Sequence, residues 1–157
     1  RDLHSFPTRR SSDLRTFMVK MIMGHKGSGK TKRMIELANE KVEKSQGNVI
    51  YINKNHRLTY DLKYRIRVIC MEDFVHITNS DEYIGFLYGV LGMDRDVDTV
   101  FIDGVLRHAD ITLGNMPEFI DRLKDISAEY QTEFIVSVSA SKEELIGMDY
   151  NGCKIIS

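Results

Sequence analysis

The residues that most clearly indicate a chemical function fit the pattern G-x-x-x-x-G-K-[ST] without a mismatch. They are Gly24, Gly29, Lys30 and Thr31. Glycines at these positions let the chain turn tightly and bring bare backbone N–H groups around a polyphosphate. The lysine would reach the β- and γ-phosphates, and the threonine hydroxyl would take one coordination site on Mg²⁺. The spacing therefore predicts a loop that binds a nucleoside triphosphate.

The residues on either side of this loop indicate that it joins a strand to a helix. A run that contains the apolar residues Val19, Met21, Ile22 and Met23 predicts a short buried strand. After the loop, Met34, Ile35, Ala38 and Val42 recur at helical spacing. A helix that begins here adds its unpaired N–H groups and the positive end of its dipole to the site. We expect the following residues to contact the nucleotide: Gly24, His25, Lys26, Gly27, Ser28, Gly29, Lys30, Thr31 and Lys32.

A second candidate is the carboxylate that ends the run Val97–Asp103, which consists mostly of β-formers. Asp103 would emerge at the carboxyl end of a strand, where open α/β sheets hold their ligands. There it would orient the waters of a bound Mg²⁺ and balance its charge. We therefore predict Lys30 and Asp103 as catalytic residues, and Thr31 and Asp103 as the metal-binding pair.

These two motifs make the chain resemble the P-loop NTPase superfamily. The order of elements is similar to the RecA-like branch, in which another strand separates the loop strand from the Asp strand. This resemblance implies a three-layer α/β sandwich, a mostly parallel central sheet of about five strands, and ATP with Mg²⁺ as cofactors. It also implies that Ser137 or Ser139 senses the γ-phosphate, although either serine could instead satisfy local backbone groups.

One position departs from the motor-type relatives, which usually place a Glu directly after the Asp to polarise the attacking water. This chain has Gly104 there, and Glu72, Asp73 or Asp110 could stand in for the missing acid. Because positioning of water most separates binding from turnover, we expect ATP hydrolysis to be weak or stimulated by a partner. That partner would be a protein or another copy of the chain.

The loop after Asp103 carries Arg107 and His108, and both have two interpretations. The arginine could stabilise transferring charge, in cis or across a subunit interface. The alternative is an ordinary surface arginine beside a half-exposed histidine.

Other functions of the same motifs give alternatives. A small-molecule or nucleoside kinase would pass the γ-phosphoryl group to an acceptor, and thymidine kinases of the RecA-like type have a similar loop and Asp strand. Those kinases usually carry a cysteine-rich zinc lobe, which Cys70 and Cys153 are too few to supply. A GTPase is disfavoured because Asn53–His56 lacks the final Asp of N/T-K-x-D. Pilus-retraction motors carry a similar loop but are much longer.

Charge and cysteine content limit the partners and the compartment. The net charge of −1 gives no general attraction to nucleic acid or anionic membrane, and no apolar run approaches membrane-spanning length. Cys70 and Cys153 are expected to be buried free thiols, which is consistent with the cytoplasm. The basic segment 54–67 is either a charged sheet edge or a contact for an anionic partner.

The first residues of the chain do not look like part of the fold. Residues 4–14 resemble a translated sequencing adapter, and a targeting peptide is the alternative. We therefore expect a non-native or disordered tail at 1–14 and a single domain at 15–157. The predicted elements after the loop are a helix at 30–45, strands at 48–53 and about 63–71, a helix from Ser80, a strand at 97–103, a helix opened by Pro117, a strand at 133–139, a short helix after the capping box Ser141–Glu144, and a strand at 153–156.

Overall fold

A computed structural model of the chain describes residues 18–57, 59–141, 143, 144 and 153–156. Within these residues the chain alternates between strands and helices. The strands are β1 (Val19–Gly24), β2 (Asn48–Asn53), β3 (Arg67–Cys70), β4 (Val97–Ile102), β5 (Glu133–Ser139) and β6 (Cys153–Ile156). The α-helices are α1 (Lys30–Lys44), α2 (Ser80–Met93) and α3 (Met116–Tyr130), and short 3₁₀ turns form at Thr59–Asp61, Met71–Asp73 and Val105–Arg107. The predicted tail at 1–14 lies outside the described residues.

The strands form one sheet in the order β3-β2-β4-β5-β1-β6, and every neighbouring pair among the described residues is parallel. This confirms the predicted α/β fold, with six described strands where about five were expected. Strand β5 lies between β1 and β4, which is the order that the RecA-like resemblance implies. Because all pairs are parallel, the carboxyl ends of β1, β4 and β5 meet at one edge of the sheet.

The helices cover both faces of the sheet, as predicted for three layers. On one face α1 packs through Met34 and Ala38, in a cluster that also contains Tyr51 of β2. On the other face α2 and α3 pack in a second cluster that contains Ile50 and Ile52 of the same strand. Successive side chains of a strand point to opposite faces, so a strand buried on both faces is apolar throughout.

The predicted strand at about 63–71 is wrong in its first half, since β3 begins at Arg67. The β2–β3 register starts with Ile50 opposite Arg67, and the preceding residues form a turn closed by a bond from Ile66 N–H to Lys63 O at 2.9 Å. Leu62, just before that turn, and Ile66, at its end, are nevertheless buried. The alternating polar and apolar residues of this segment therefore lie in a turn and not in a strand.

Side-chain capping occurs at the start of α2 and at Ser141. Asn79 caps α2, since its Oδ1 accepts a bond from Glu82 N–H at 2.8 Å. The capping box at Ser141 and Glu144 forms both of its reciprocal bonds, each 3.1 Å long. The short helix expected after it falls on residues outside the described part of the chain. Among the described helices, none combines the length and apolar character needed to cross a bilayer.

Candidate functional site

The glycine loop, residues 24–31, leaves the end of β1 and enters α1. Gly27 and Gly29 have φ angles of 83° and 89°, in the left-handed region where other residues are strained. A Cβ atom on Gly24 would lie 2.5 Å from Ser28 Oγ, so the loop closes too tightly there for a side chain. The backbone therefore favours glycine at Gly29 of the sequence pattern and at Gly27, whereas at Gly24 a side chain would meet the Ser28 hydroxyl.

The start of α1 gives the loop its electrostatic character. The first backbone bond into the helix runs from Arg33 N–H to Gly29 O at 3.0 Å, so earlier N–H groups of the first turn have no acceptor within the helix. Lys30 Nζ crosses the loop and donates to His25 O at 2.8 Å. Burial lowers the pKa of Lys30, nearby Asp103 opposes this effect, and the positive charge of Arg107 adds to it.

Asp103 is held by two hydroxyl groups from neighbouring strands. Tyr51 of β2 donates to Oδ2 at 2.9 Å, and Ser137 of β5 donates to Oδ1 at 2.7 Å. Ser137 Oγ also accepts the backbone N–H of Gly104 at 2.7 Å. We call Tyr51, Asp103 and Ser137 the Asp103 shell. All three side chains are buried, so the carboxylate is fixed from both sides of β4.

Tyr51 was not among the predicted site residues. Its one signal in the sequence is a phenol in the apolar run of β2, because a buried hydroxyl needs a hydrogen-bond partner. Burial, followed by the charge of Asp103 and its hydrogen bond, raises the pKa of Tyr51. The phenol is therefore protonated at neutral pH and can act only as the donor to this carboxylate.

His108 is fully buried, so the expectation of a half-exposed histidine is wrong. Its Nε2 donates to the backbone carbonyl of Asp103 at 2.7 Å, and its ring packs edge-on against Tyr83 with centroids 5.6 Å apart. Nδ1 has no hydrogen-bond partner among the described residues. Burial lowers the pKa of His108 to about 4, so the ring is neutral at pH 7 and supports the turn after β4.

A cavity of about 540 Å³ joins the glycine loop to the end of β4. It brings together Lys30 and Asp103, the two predicted catalytic residues, and it also contains Thr31 and both candidate serines. Its full lining is Lys26, Gly27, Gly29, Lys30, Thr31, Asp103, Gly104, Arg107, Ser137 and Ser139. The carboxylate of Asp103 and the hydroxyl of Thr31 are oxygen donors of the type that Mg²⁺ prefers, so this donor set fits the implied metal.

Other predicted binding residues lie beside this cavity. Gly24 and His25 line a second cavity of about 460 Å³ together with Glu143 and apolar residues near β6. The Ser28 hydroxyl lies where a Cβ atom on Gly24 would be. Lys32 is exposed on α1 and lines neither cavity. Ser28 and Lys32 are therefore the two predicted binding residues that line neither of these cavities.

The candidate water-activating acids lie elsewhere. Glu72 and Asp73 are exposed beside His56, whose Nε2 is 4.0 Å and 3.1 Å from their carboxylates. Asp110 accepts a bond from the backbone N–H of Ser80 at 2.7 Å. Of the described residues that line the 540 Å³ cavity, only Asp103 carries a carboxylate, whereas three carry cationic side chains: Lys26, Lys30 and Arg107. The cavity is therefore suited to an anion with more than one negative charge.

Comparison with known proteins supports the fold. No family model and no curated protein matches the chain. Among solved structures, the chain is similar to the flagellar accessory protein FlaH from Methanocaldococcus jannaschii, with a TM-score of 0.54 and 12% sequence identity. The similarity covers 88% of this chain and 72% of that one. At this identity the likeness concerns the fold alone.

Proposed function

We propose that this chain binds ATP with Mg²⁺ and hydrolyses it slowly, or faster when a partner stimulates it. The observation that carries the proposal is the cavity in which the glycine loop and Lys30 face Asp103. One side offers backbone N–H groups and a lysine for phosphate oxygens. The other side offers a buried carboxylate for the metal.

Each group has a defined task in this proposal. The loop amides and Lys30 would hold the phosphates, while Thr31 and Asp103 would hold Mg²⁺. When bound, the metal would neutralise charge on the β- and γ-phosphate oxygens. Tyr51 and Ser137 occupy one acceptor site on each carboxylate oxygen of Asp103, and the remaining lone pairs stay available for the metal or its waters.

The same cavity supports slow turnover by the isolated chain. Among the described lining residues it holds one carboxylate, and the Asp103 shell already engages that group. No second acid is present there to position the attacking water, which is a main source of rate in phosphoryl transfer. We propose that a partner protein or a second copy of the chain supplies this function.

Thermal unfolding with ATP, ADP, GTP and deoxynucleotides, each with and without Mg²⁺, tests the proposal. ATP at about 100 times its dissociation constant should stabilise the chain by about 2.7 kcal/mol. This stabilisation should depend on Mg²⁺ and should shrink in Asp103→Asn. Binding of Mg-ATP by Lys30→Ala and Asp103→Asn with parental affinity would contradict the assignment.

Measuring ADP release with and without a panel of nucleosides distinguishes hydrolysis from the kinase alternative. Release that is independent of the panel supports an ATPase. Release that requires one nucleoside, with formation of its phosphate, supports phosphoryl transfer to an acceptor.

A further inference from the structure

Arg107 ends the 3₁₀ turn that directly follows Asp103 and Gly104, and its side chain folds back over that glycine. Gly104 has a φ angle of 67°, and a Cβ atom there would lie 2.6 Å from Arg107 Nε and 2.7 Å from Nη2. Arg107 N–H closes the turn on Gly104 O at 2.8 Å. The missing side chain at position 104 therefore leaves space for the guanidinium beside the metal-side acid.

Within the described part of the chain, the guanidinium of Arg107 makes no hydrogen bond or ion pair. It lines the same cavity as Lys30, and its charge contributes to the lowered pKa of that lysine. Lys30 and Arg107 thus line the same cavity, and both oxygens of the Asp103 carboxylate, which lines it too, already accept hydroxyl bonds. An anion with several charges would turn this repulsion into attraction.

We propose that Arg107 contacts the terminal phosphate of the bound nucleotide from within the same chain. This inference rests on the proposed function and deepens it. Lys30 approaches the cavity from the glycine loop, and Arg107 approaches it from the end of β4. A guanidinium presents a planar, rigid set of N–H donors that matches two phosphate oxygens at once, whereas a lysine ammonium acts as a compact point charge without this fixed geometry.

The role of Arg107 in hydrolysis is electrostatic. A water oxygen bonds to the γ-phosphorus, the bond to the β–γ bridging oxygen breaks, and its electron pair leaves with ADP. The water proton passes to the released phosphate or to solvent. Arg107 donates hydrogen bonds to the γ-phosphate oxygens throughout and transfers no proton. A stimulating partner would then need to supply a group that positions water, not an arginine.

Calorimetric titration with AMP-PNP and with ADP, each with Mg²⁺, tests this inference. Arg107→Ala should weaken AMP-PNP binding about tenfold or more and change ADP binding by less than about threefold. Arg107→Lys should show a partial loss, because it keeps the charge and loses the paired donors. Arg107 is exposed, so the unliganded variants should keep the parental melting temperature.

Arg95→Ala is the matched control, since Arg95 precedes β4 and lies over the Tyr130 ring at 5.6 Å. It should leave both affinities unchanged. If the parent binds both nucleotides and Arg107→Ala keeps the parental ratio of AMP-PNP to ADP affinity, this inference is wrong and the proposed function stands. If the parent binds neither nucleotide, the proposed function fails and the inference fails with it.

Discussion

The glycine loop and the Asp103 shell face the same cavity, but one is built from consecutive residues and the other from three strands. The loop works through its backbone, since the left-handed Gly27 and Gly29 and the start of α1 orient its N–H groups. The shell works through side chains that β2, β4 and β5 bring together. Changes in the loop should therefore affect phosphate binding, whereas changes in the shell should affect metal binding and stability.

The largest effect is expected at Lys30, the loop residue that reaches into the cavity. Lys30→Ala should reduce the ATP hydrolysis rate about 100- to 1,000-fold, because a charged group aimed at the transferring phosphoryl is lost. Single-turnover kinetics measures the rate, and Lys32→Ala is the control, since Lys32 lines neither cavity. Equal losses in the two variants would contradict a specific role for the loop lysine.

The second effect concerns the turn that supports the shell and appears as a pH dependence of stability. The pKa of His108 is lowered by burial from 6.5 to about 4. Between these values the unfolded chain binds a proton that the nucleotide-free folded chain does not. The contribution of His108 to the free energy of unfolding should therefore be fully present above about pH 6.5. It should fall by about 3 kcal/mol as the pH drops to 4.

Urea unfolding of the parent and of His108→Gln from pH 7 to pH 4 measures this dependence. The variant is expected to have the smaller slope over this range, because carboxylates elsewhere contribute equally to both proteins. Parallel slopes would show that His108 does not titrate as its burial requires.

A third variant, with a smaller expected effect, tests whether the Asp103 shell and the glycine loop act independently. Tyr51→Phe removes one hydroxyl donor from a buried carboxylate and should cost about 1–3 kcal/mol of stability. Mg²⁺ affinity of the nucleotide complex should change, while metal-free nucleotide binding should stay close to the parental value. Tyr60→Phe is the control, since that phenol is 82% exposed. An equal loss of metal-free nucleotide binding would break the distinction between the two regions.

The smallest change in stability is expected from a substitution that strains the backbone of the glycine loop. Gly27→Ala places a Cβ at a φ angle of 83°, where no atom lies within 4 Å, so only conformational strain is introduced. We expect a cost of about 1–2 kcal/mol. Gly85→Ala tests the opposite case, because this glycine lies inside α2 with open space around it and alanine favours helix. Thermal unfolding should show a decrease for the first variant and an increase for the second.

The regular elements show where sequence patterns are informative. Strand β5 was predicted with its observed bounds, because its buried apolar residues Phe134, Ile135, Val136 and Val138 lie between polar residues at its two ends. The segment before β3 shows the opposite outcome, since Lys63 and Arg65 alternate with Tyr64 and Ile66 but lie in a turn. Leu62 and Ile66 are buried there but Tyr64 is 95% exposed, so the alternation of residue types did not correspond to the alternating burial of a strand.

The candidate site also has one part that the sequence pattern predicts and one part that it does not. The sequence by itself determined the glycine loop, because its φ angles and its position before a helix depend on adjacent residues. The tertiary structure decided that β5 lies between β1 and β4, and this order brings Ser137 to Asp103 while Glu72 and Asp73 remain outside the cavity. Strand order depends on contacts between residues far apart in the chain, and a pattern read along the chain does not specify those contacts.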